Sequence, residues 1–227
     1  MSSPPSPESL NHVAARALTS VQNGMKLGLG TGRAAEAFIR ALATRVNEGL
    51  QVVAVTTSVR SQALAEVLSI PLSTIADTPA LDVAFDGADE VTPQLDLTKG
   101  LGGALLRERV IAHAADRFIV LVTPEKLVDQ LGSRTPIPIE VVPFAEAPVA
   151  RALQSLGGEP VTRTAGDKAY LTDNGNLVVD TAFPPIADPA TLDAAVRAIP
   201  GVVDTGLFLG MASEVIVGEA DGARVLS

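Results

Sequence analysis

The chain has 227 residues, of which 47% are hydrophobic and 19% are charged, with a formal net charge of -9. A chain of this length and hydrophobic content can bury a sizeable core, in one large or two modest domains. The acidic balance and the 3% aromatic content argue against nucleic acid as a partner, because nucleic-acid binding needs a basic surface and, for single strands, aromatic stacking platforms.

Cysteine is absent, which removes disulfides, thiolate nucleophiles and Cys-type zinc sites and slightly favours an intracellular origin. The N-terminal tail, residues 1–8, is rich in Ser and Pro and lacks the basic start and apolar stretch of a signal peptide. No segment approaches the roughly 18 apolar residues of a membrane span. We therefore expect a cytoplasmic protein with no membrane partner.

The first half of the sequence alternates strand-like and helix-like segments. After the tail, which we expect to be flexible, apolar residues recur at helical spacing from Leu10 to Val21, which predicts a helix that ends at Asn23-Gly24. The next predicted strands cover residues 25–29, 52–55, 81–85 and 117–122. The helices that follow them cover residues 34–46, 60–68 and 103–115, with a short helix beginning at Pro124. This alternation predicts a Rossmann-like α/β domain with a mostly parallel sheet and helices on both faces.

The second half has a different order of elements. It reads as strand 137–142, helix 146–156, strands 159–163 and 177–180, helix 191–199 and strand 202–207. This β-α-β-β-α-β order is that of a ferredoxin-like α+β unit, with turn residues for a hairpin at 173–176. Two closing strands, 214–217 and 224–226, are expected to return to the first sheet. We therefore predict a Rossmann-like catalytic domain of residues 1–133 and 208–227, and a smaller ferredoxin-like domain of residues 134–207.

A glycine-rich loop, residues 28–32, lies between the first strand and the next helix. Its backbone N–H groups and the helix dipole favour an anion such as phosphate, although a tight turn alone would also explain the glycines. The loop is not a dinucleotide fingerprint, because Ala35 stands at the third glycine position, so a small phosphorylated ligand fits better than NAD. Arg33 could contact that phosphate or lie solvated in the first helical turn.

Two carboxylates, Asp86 and Asp89, flank Gly87 and Ala88 at the end of the third predicted strand. If the loop turns, both carboxylates can converge on one point. Two carboxyl groups that lie close together take different pKa values, so that one can act as an acid and the other as a base on sugar hydroxyls. Two alternatives remain open: a helix N-cap or turn, and a Mg²⁺ site.

Lys99 precedes a run of small residues, Gly100-Leu101-Gly102-Gly103, that lets backbone and ammonium approach a ligand closely. It could stabilise an oxyanion, or it could be an ordinary surface lysine. Lys126, after a later strand, is either a substrate contact or a solvated helix residue.

Glu108 lies in an apparent charge run between Arg107 and Arg109, yet helical spacing places it on an apolar stripe with Ala104 and Ile111. Burial among apolar neighbours raises the pKa of a glutamate towards neutrality. Glu108 is therefore the favoured general base.

Taken in order and spacing, these motifs resemble the type A ribose-5-phosphate isomerase family. The resemblance covers nearly all of the chain after the tail and continues through 125–129, 138–143, 156–158, 172–176 and 199–203. It implies reversible conversion of ribose 5-phosphate to ribulose 5-phosphate in the non-oxidative pentose phosphate pathway. It also implies a homodimer or homotetramer, with no metal or organic cofactor.

The resemblance also assigns roles. Glu108 matches the base that moves a proton between C1 and C2 through an enediolate, and Asp86, Asp89 and Lys99 match groups that open the ring and stabilise that intermediate. Thr31 and its loop match the phosphate site, and Lys126 matches a substrate-binding lysine. The residues expected to bind substrate are Gly30, Thr31, Gly32, Arg33, Ala34, Gly87, Ala88, Gly100, Leu101, Gly102 and Lys126.

The sequence departs from the family at three places. The phosphate loop usually reads Thr-Gly-Ser-Thr, whereas Arg33 and Ala34 replace the last two residues here. Leu101 replaces one glycine of the lysine-glycine run, and residues 10–12 offer no lysine on the first helix. None of these changes removes the proton-transfer set.

Two functions of other classes are alternatives to the isomerase. A sugar-phosphate-sensing effector domain of a transcriptional regulator would normally carry an added DNA-binding segment, for which residues 1–8 are too short. An acyl-CoA transferase-like enzyme would need a nucleophilic glutamate and usually a longer chain.

Overall fold

The computed structural model describes residues 6–227 and contains six α-helices and fifteen strands in that range. The helices are α1 (Pro7–Leu18), α2 (Arg33–Asn47), α3 (Val59–Val67), α4 (Leu105–Ala114), α5 (Glu146–Ser155) and α6 (Pro189–Arg197). The strands are β1 (Lys26–Leu29), β2 (Val53–Thr56), β3 (Leu81–Gly87), β4 (Glu90–Val91), β5 (Leu97–Thr98), β6 (Ala115–Val122), β7 (Ile137–Val141), β8 (Glu159–Thr162), β9 (Thr164–Ala165), β10 (Lys168–Ala169), β11 (Leu177–Ala182), β12 (Val202–Thr205), β13 (Leu207–Phe208), β14 (Glu214–Gly218) and β15 (Ala223–Leu226). Short 3₁₀ helices cover Pro124–Lys126 and Pro143–Ala145.

The chain divides into two compact units. The first comprises the described residues up to Ala88, with Arg107–Leu127 and Met211–Ser227; the second comprises Asp89–Leu106 and Val128–Gly210. The predicted domains, residues 1–133 with 208–227 and residues 134–207, stay a prediction.

The first unit is built on a six-stranded sheet in the order β15-β14-β6-β3-β1-β2. All neighbouring pairs are parallel except β14 with β15, which confirms the mostly parallel sheet and the return of the closing strands. Helices α1 and α2 cover it, and the rings of Phe38 and Phe85 stack at 4.2 Å in the core between helix and sheet.

The second unit contains a four-stranded antiparallel sheet in the order β12-β7-β11-β8. Read along the chain, β7-α5-β8-β11-α6-β12 is the expected ferredoxin-like order. Apolar side chains of β7 and β11 meet those of α5 and α6, as shown by the fully buried Ile139, Val149 and Val179. Two small sheets, β13-β5-β4 and β9-β10, were not predicted because each strand has only two residues.

The first helix differs from its prediction at both ends. It starts at Pro7, inside the predicted tail, because the Ser6 side chain accepts the Ser9 N–H and caps the helix. It stops at Leu18, well before Asn23-Gly24. The next residue, Thr19, ends the helix by donating both its backbone N–H and its hydroxyl to the Arg16 carbonyl. The predicted flexibility of residues 1–5 lies outside the described part of the chain.

Two further boundaries were predicted wrongly. The strand 202–207 is broken at Gly206, whose backbone bonds both Pro138 and Lys99, so that β12 and β13 join different sheets. The helix predicted from residue 103 begins at Leu105, because Gly103 has a φ of 78° and its N–H closes a turn onto Gly100. None of the described helices has the length and apolar character needed to cross a membrane.

Candidate active site

The carboxyl ends of β1 and β3 bring Asp86 against the glycine loop. The Asp86 Oδ1 atom accepts the N–H groups of Thr31 at 3.0 Å and Gly87 at 2.7 Å. A Cβ on Gly30 would overlap the Asp86 carboxylate, so only glycine fits there. Asp86 is 2% exposed and belongs to β3, which rules out the alternative that it caps a helix.

A cluster of hydroxyl groups surrounds Thr31. The Thr31 Oγ1 atom lies 2.8 Å from Thr57 Oγ1, 2.7 Å from Ser58 Oγ and 3.1 Å from Ser61 Oγ. Ser61 also donates to the Gly30 carbonyl at 2.6 Å, and Ser58 caps α3 by accepting the Ser61 N–H. The cluster therefore joins the glycine loop to the N-terminus of α3.

The loop after β2, which supplies Thr57 and Ser58 to this cluster, was not assigned to the site by the sequence analysis. The signal was present, because Thr57 and Ser58 follow a strand directly and precede a helix, which is where polar ligand groups collect in a parallel sheet.

Glu108 lies on the buried side of α4 and is 4% exposed, as the apolar stripe predicted. One turn further along α4, Ile111 packs on Gly28 of β1, where an added Cβ would come within 2.5 Å of the Ile111 Cγ2 atom. Because α4 runs from the carboxyl ends of the strands back towards their starts, Glu108 lies nearer those ends than Ile111 by about 4.5 Å along the axis. It therefore faces the same end of the sheet as Gly30 and Asp86.

The remaining predicted residues of the first unit are less enclosed. Arg33 is exposed at the first position of α2, directly after Gly32, whose φ is 107°. Lys126 is half-buried at the end of a 3₁₀ helix that follows β6. Gly87 and Ala88 are half-buried at the end of β3, and Ala34 is half-buried in the first turn of α2.

In the second unit, Asp89 and the lysine-glycine run are in direct contact. The Leu101 N–H donates to the Asp89 Oδ2 atom at 3.0 Å. Gly100 adopts a φ of 103°, and a side chain there would press on Leu105 and Pro138. The run thus forms a tight loop closed by the Gly103 to Gly100 turn.

Lys99 is 2% exposed, so the alternative of an ordinary surface lysine is wrong. The Lys99 ammonium group lies 5.6 Å from the centre of the Phe208 ring. The backbone N–H of Lys99 donates to the Gly206 carbonyl at 2.9 Å. A charged group buried to this degree points to a site rather than to a solvated surface.

Two residues of the second unit that sequence reasoning did not single out, Arg163 and Tyr170, contact the lysine-glycine run, and a third, Asp180, contacts Arg163. Arg163 donates to the carbonyls of Gly100 and Leu101 at 3.1 and 3.0 Å, and Asp180 holds Arg163 with two hydrogen bonds. The Tyr170 hydroxyl covers Gly103 so closely that a Cβ there would overlap it. Burial raises the pKa of Tyr170, an effect that the nearby positive charge of Arg163 opposes.

Within the first unit, then, the structure brings together Gly30, Thr31, Asp86 and Gly87, and within the second unit Asp89 and Leu101. The convergence of Asp86 and Asp89 stays a prediction. Across residues 6–227, no group of three or more His, Asp or Glu side chains could hold a metal ion, so the Mg²⁺ alternative gains no ligand set there.

Comparison with known sequences gives a consistent result. The family model for ribose 5-phosphate isomerase A (phosphoriboisomerase A) matches residues 53–222. The ribose-5-phosphate isomerase A of Gloeobacter violaceus is 50% identical over 215 residues, which is 94% of each chain. That of Roseiflexus castenholzii is 50% identical over 212 residues, or 92% of this chain and 91% of the relative.

Solved structures agree with the sequences. Ribose 5-phosphate isomerase A of Methanocaldococcus jannaschii superposes with a TM-score of 0.92 at 42% identity, covering 96% of this chain and 98% of the other. A D-ribose-5-phosphate isomerase in complex with phospho-erythronic acid superposes with a TM-score of 0.94 at 39% identity, covering 97% and 98%.

Proposed function

The chain belongs to the ribose 5-phosphate isomerase A family, and we propose that it uses Glu108 to move a proton between C1 and C2 of D-ribose 5-phosphate. It is an aldose-ketose isomerase that interconverts ribose 5-phosphate and ribulose 5-phosphate. The observation that carries the role of Glu108 is its burial on α4, at the end of the parallel sheet where Asp86 and the glycine loop lie.

The proposed chemistry needs one base and one stabilised oxyanion. Glu108 removes the proton on C2 of the open-chain aldose, and the charge that develops is held on the oxygen at C1 as an enediolate. Glu108 then delivers a proton to C1, after partial exchange with solvent while the carboxyl group holds it, and the hydroxyl proton at C2 passes to the oxygen at C1, so no atom is gained or lost. The buried ammonium of Lys99 supplies positive charge that stabilises the enediolate.

Ring opening precedes proton transfer, and Asp86 and Asp89 are proposed to assist it. Two N–H donors hold one oxygen of Asp86, which fixes the direction of the carboxylate. Asp89 is tied to the lysine-glycine run through Leu101. Each carboxylate is therefore oriented by backbone, as acid–base work on a sugar hydroxyl requires.

The phosphate is proposed to bind at the glycine loop, residues 30–34. There the N–H groups at the start of α2 favour an anion, and the Arg33 guanidinium takes over from the two hydroxyl residues that the family usually has. Thr31 lies in the hydroxyl cluster with Thr57, Ser58 and Ser61, which holds this loop in place. Lys126, Gly87, Ala88, Gly100 and Gly102 are proposed as further substrate contacts.

A homodimer or homotetramer in the cytoplasm, acting without a metal or organic cofactor, completes the proposal. The proposed proton transfer is carried by carboxylates and one ammonium group, so it needs no electron acceptor or Lewis acid. The alternative of a regulator's effector domain finds no support, because the relatives matched over most of their length bear the isomerase name.

The test is to incubate the purified protein with ribose 5-phosphate alone, without CoA and after exhaustive chelation, and to follow ribulose 5-phosphate with a coupled assay. We expect ketose to form, with solvent deuterium entering the product. Phospho-erythronic acid, which a structural relative binds, should compete with the substrate. Absence of ketose, or formation only with CoA or added metal, would contradict the proposal.

A further inference from the structure

The lysine-glycine run, residues 99–103, is held from its carbonyl side by one guanidinium group. The Arg163 Nη1 atom donates to the carbonyl oxygens of Gly100 at 3.1 Å and Leu101 at 3.0 Å. Arg163 follows directly after β8, some sixty positions further along the sequence. It thus fixes two successive peptide groups of a loop that contains three glycines and would otherwise have many accessible conformations.

The orientation of these peptides decides where their N–H groups point. In a trans peptide, the C=O and the following N–H point to opposite sides. The Gly100 carbonyl points at Arg163, and the Leu101 N–H of the same peptide accordingly points the other way, to Asp89 Oδ2 at 3.0 Å. The Leu101 carbonyl also points at Arg163, which directs the Gly102 N–H away from it. Arg163 therefore controls the contact between the loop and Asp89.

The guanidinium itself is fixed in place. Asp180 on β11 accepts from Nε at 2.8 Å and from Nη2 at 2.5 Å, and the Tyr170 ring centre lies 5.7 Å from the guanidinium carbon. The side chains of Arg163 and Asp180 are 15% and 21% exposed, so solvent competes little for these contacts. Only a planar fork can serve a carboxylate and two carbonyls at once, which a lysine ammonium cannot do with the same geometry.

We infer that Arg163, held by Asp180, is a positioning residue for the isomerase reaction. It acts through the loop by keeping Asp89 and Lys99 in their working arrangement and does not touch the substrate. This inference rests on the proposed function, since it presumes that Asp89 and Lys99 serve the isomerisation.

The test compares Arg163→Met with Arg197→Met. Arg197 is a matched control, because it also pairs with two carboxylates of the second unit, those of Asp193 and Asp204. These residues lie on α6 and β12, and both elements are separate in sequence from the lysine-glycine run. Arg163→Met should lower kcat about 10- to 100-fold with a much smaller change in KM, as expected when reacting groups are misplaced by about 1 Å. Arg197→Met should lower the melting temperature while kcat stays within about twofold.

Two further variants keep the test decisive if Arg163→Met does not fold. Arg163→Lys keeps the charge without the fork, and Asp180→Asn frees the fork from its support. Both variants should lower kcat. The double variant should lose less of its kcat than the two separate losses combined, because Arg163 and Asp180 belong to one hydrogen-bond network.

The outcomes separate this inference from the proposed function. If the wild-type protein does not isomerise ribose 5-phosphate, the proposed function fails. If the wild-type protein is active but the Arg163 variants keep their kcat, or lose no more of it than Arg197→Met does, Arg163 has only a structural role and the inference is overturned.

Discussion

Glu108 combines two properties that a single residue seldom has. It carries a carboxylate on a helix between two arginines in sequence, and yet it is almost fully buried beside the end of a parallel sheet. Burial keeps water away from the carboxylate, so a proton that it takes from a substrate carbon is less readily lost to solvent. The chemistry proposed for the protein depends on this one environment.

Glu108→Gln tests that environment directly. Glutamine has nearly the same shape but cannot accept a proton, so kcat should fall by about 10²- to 10⁴-fold while substrate binding changes only slightly. Steady-state kinetics and calorimetric titration with phospho-erythronic acid measure the two effects. Glu66→Gln, at an exposed position of α3, is the control. Near-normal turnover in Glu108→Gln would remove Glu108 from the role of base.

Arg33 is the residue at which this sequence departs most from the family's phosphate loop. If its guanidinium holds the phosphate, Arg33→Ala should raise KM about threefold to tenfold with little change in kcat, as for one charge-assisted hydrogen bond at an exposed position. High salt should reduce the difference by screening. Arg45→Ala, at the other end of α2, is the control. An unchanged KM would mean that Arg33 is a solvated surface residue.

At the scale of elements, two helices of the structure end in the same way with different residues. At the end of α3, Ser69 and Ile70 donate to the carbonyls of Glu66 and Ala65, and at the end of α5 two glycines make the equivalent bonds. This is the Schellman motif, which needs a left-handed residue after the cap. Ser69 adopts that conformation with a φ of 59°, whereas Gly157 has a φ of 85° without strain.

Exchange of these two residues should therefore have opposite effects on stability. Ser69→Gly should raise the free energy of unfolding by about 0.5–1 kcal/mol, because glycine avoids the cost of a left-handed side chain. Gly157→Ser should lower it by a similar amount, since a Cβ there meets no atom within 4 Å and only the conformation is penalised. Urea unfolding of both variants measures this, and a destabilised Ser69→Gly would contradict the argument.

At the scale of the whole molecule, the expected homo-oligomer is a prediction from the family. Light scattering should give a mass of two or four times 23.3 kDa, independent of concentration in the micromolar range. A mass of 23.3 kDa would show that the chain is a monomer under those conditions.

Much of the fold followed from the sequence, and the errors have local causes. Strand-helix alternation and the β-α-β-β-α-β order were confirmed, because apolar periodicity reports which face of each element is buried. The end of α1 was predicted too late, since Val21 continues the apolar spacing although Thr19 has already closed the helix. Gly206 broke a predicted strand through backbone contacts that no local pattern reveals.

By itself, the sequence determined the class of fold, the positions of the glycine loops and the residues proposed for proton transfer, because each of these depends on spacing along the chain. Only the tertiary structure decided that Lys99 is buried, that Ser58 and Ser61 join Thr31, and that Arg163 holds the loop at Gly100. These contacts join residues far apart in sequence. Their partners are set by how strands and helices pack, which the periodicity of any one segment does not specify.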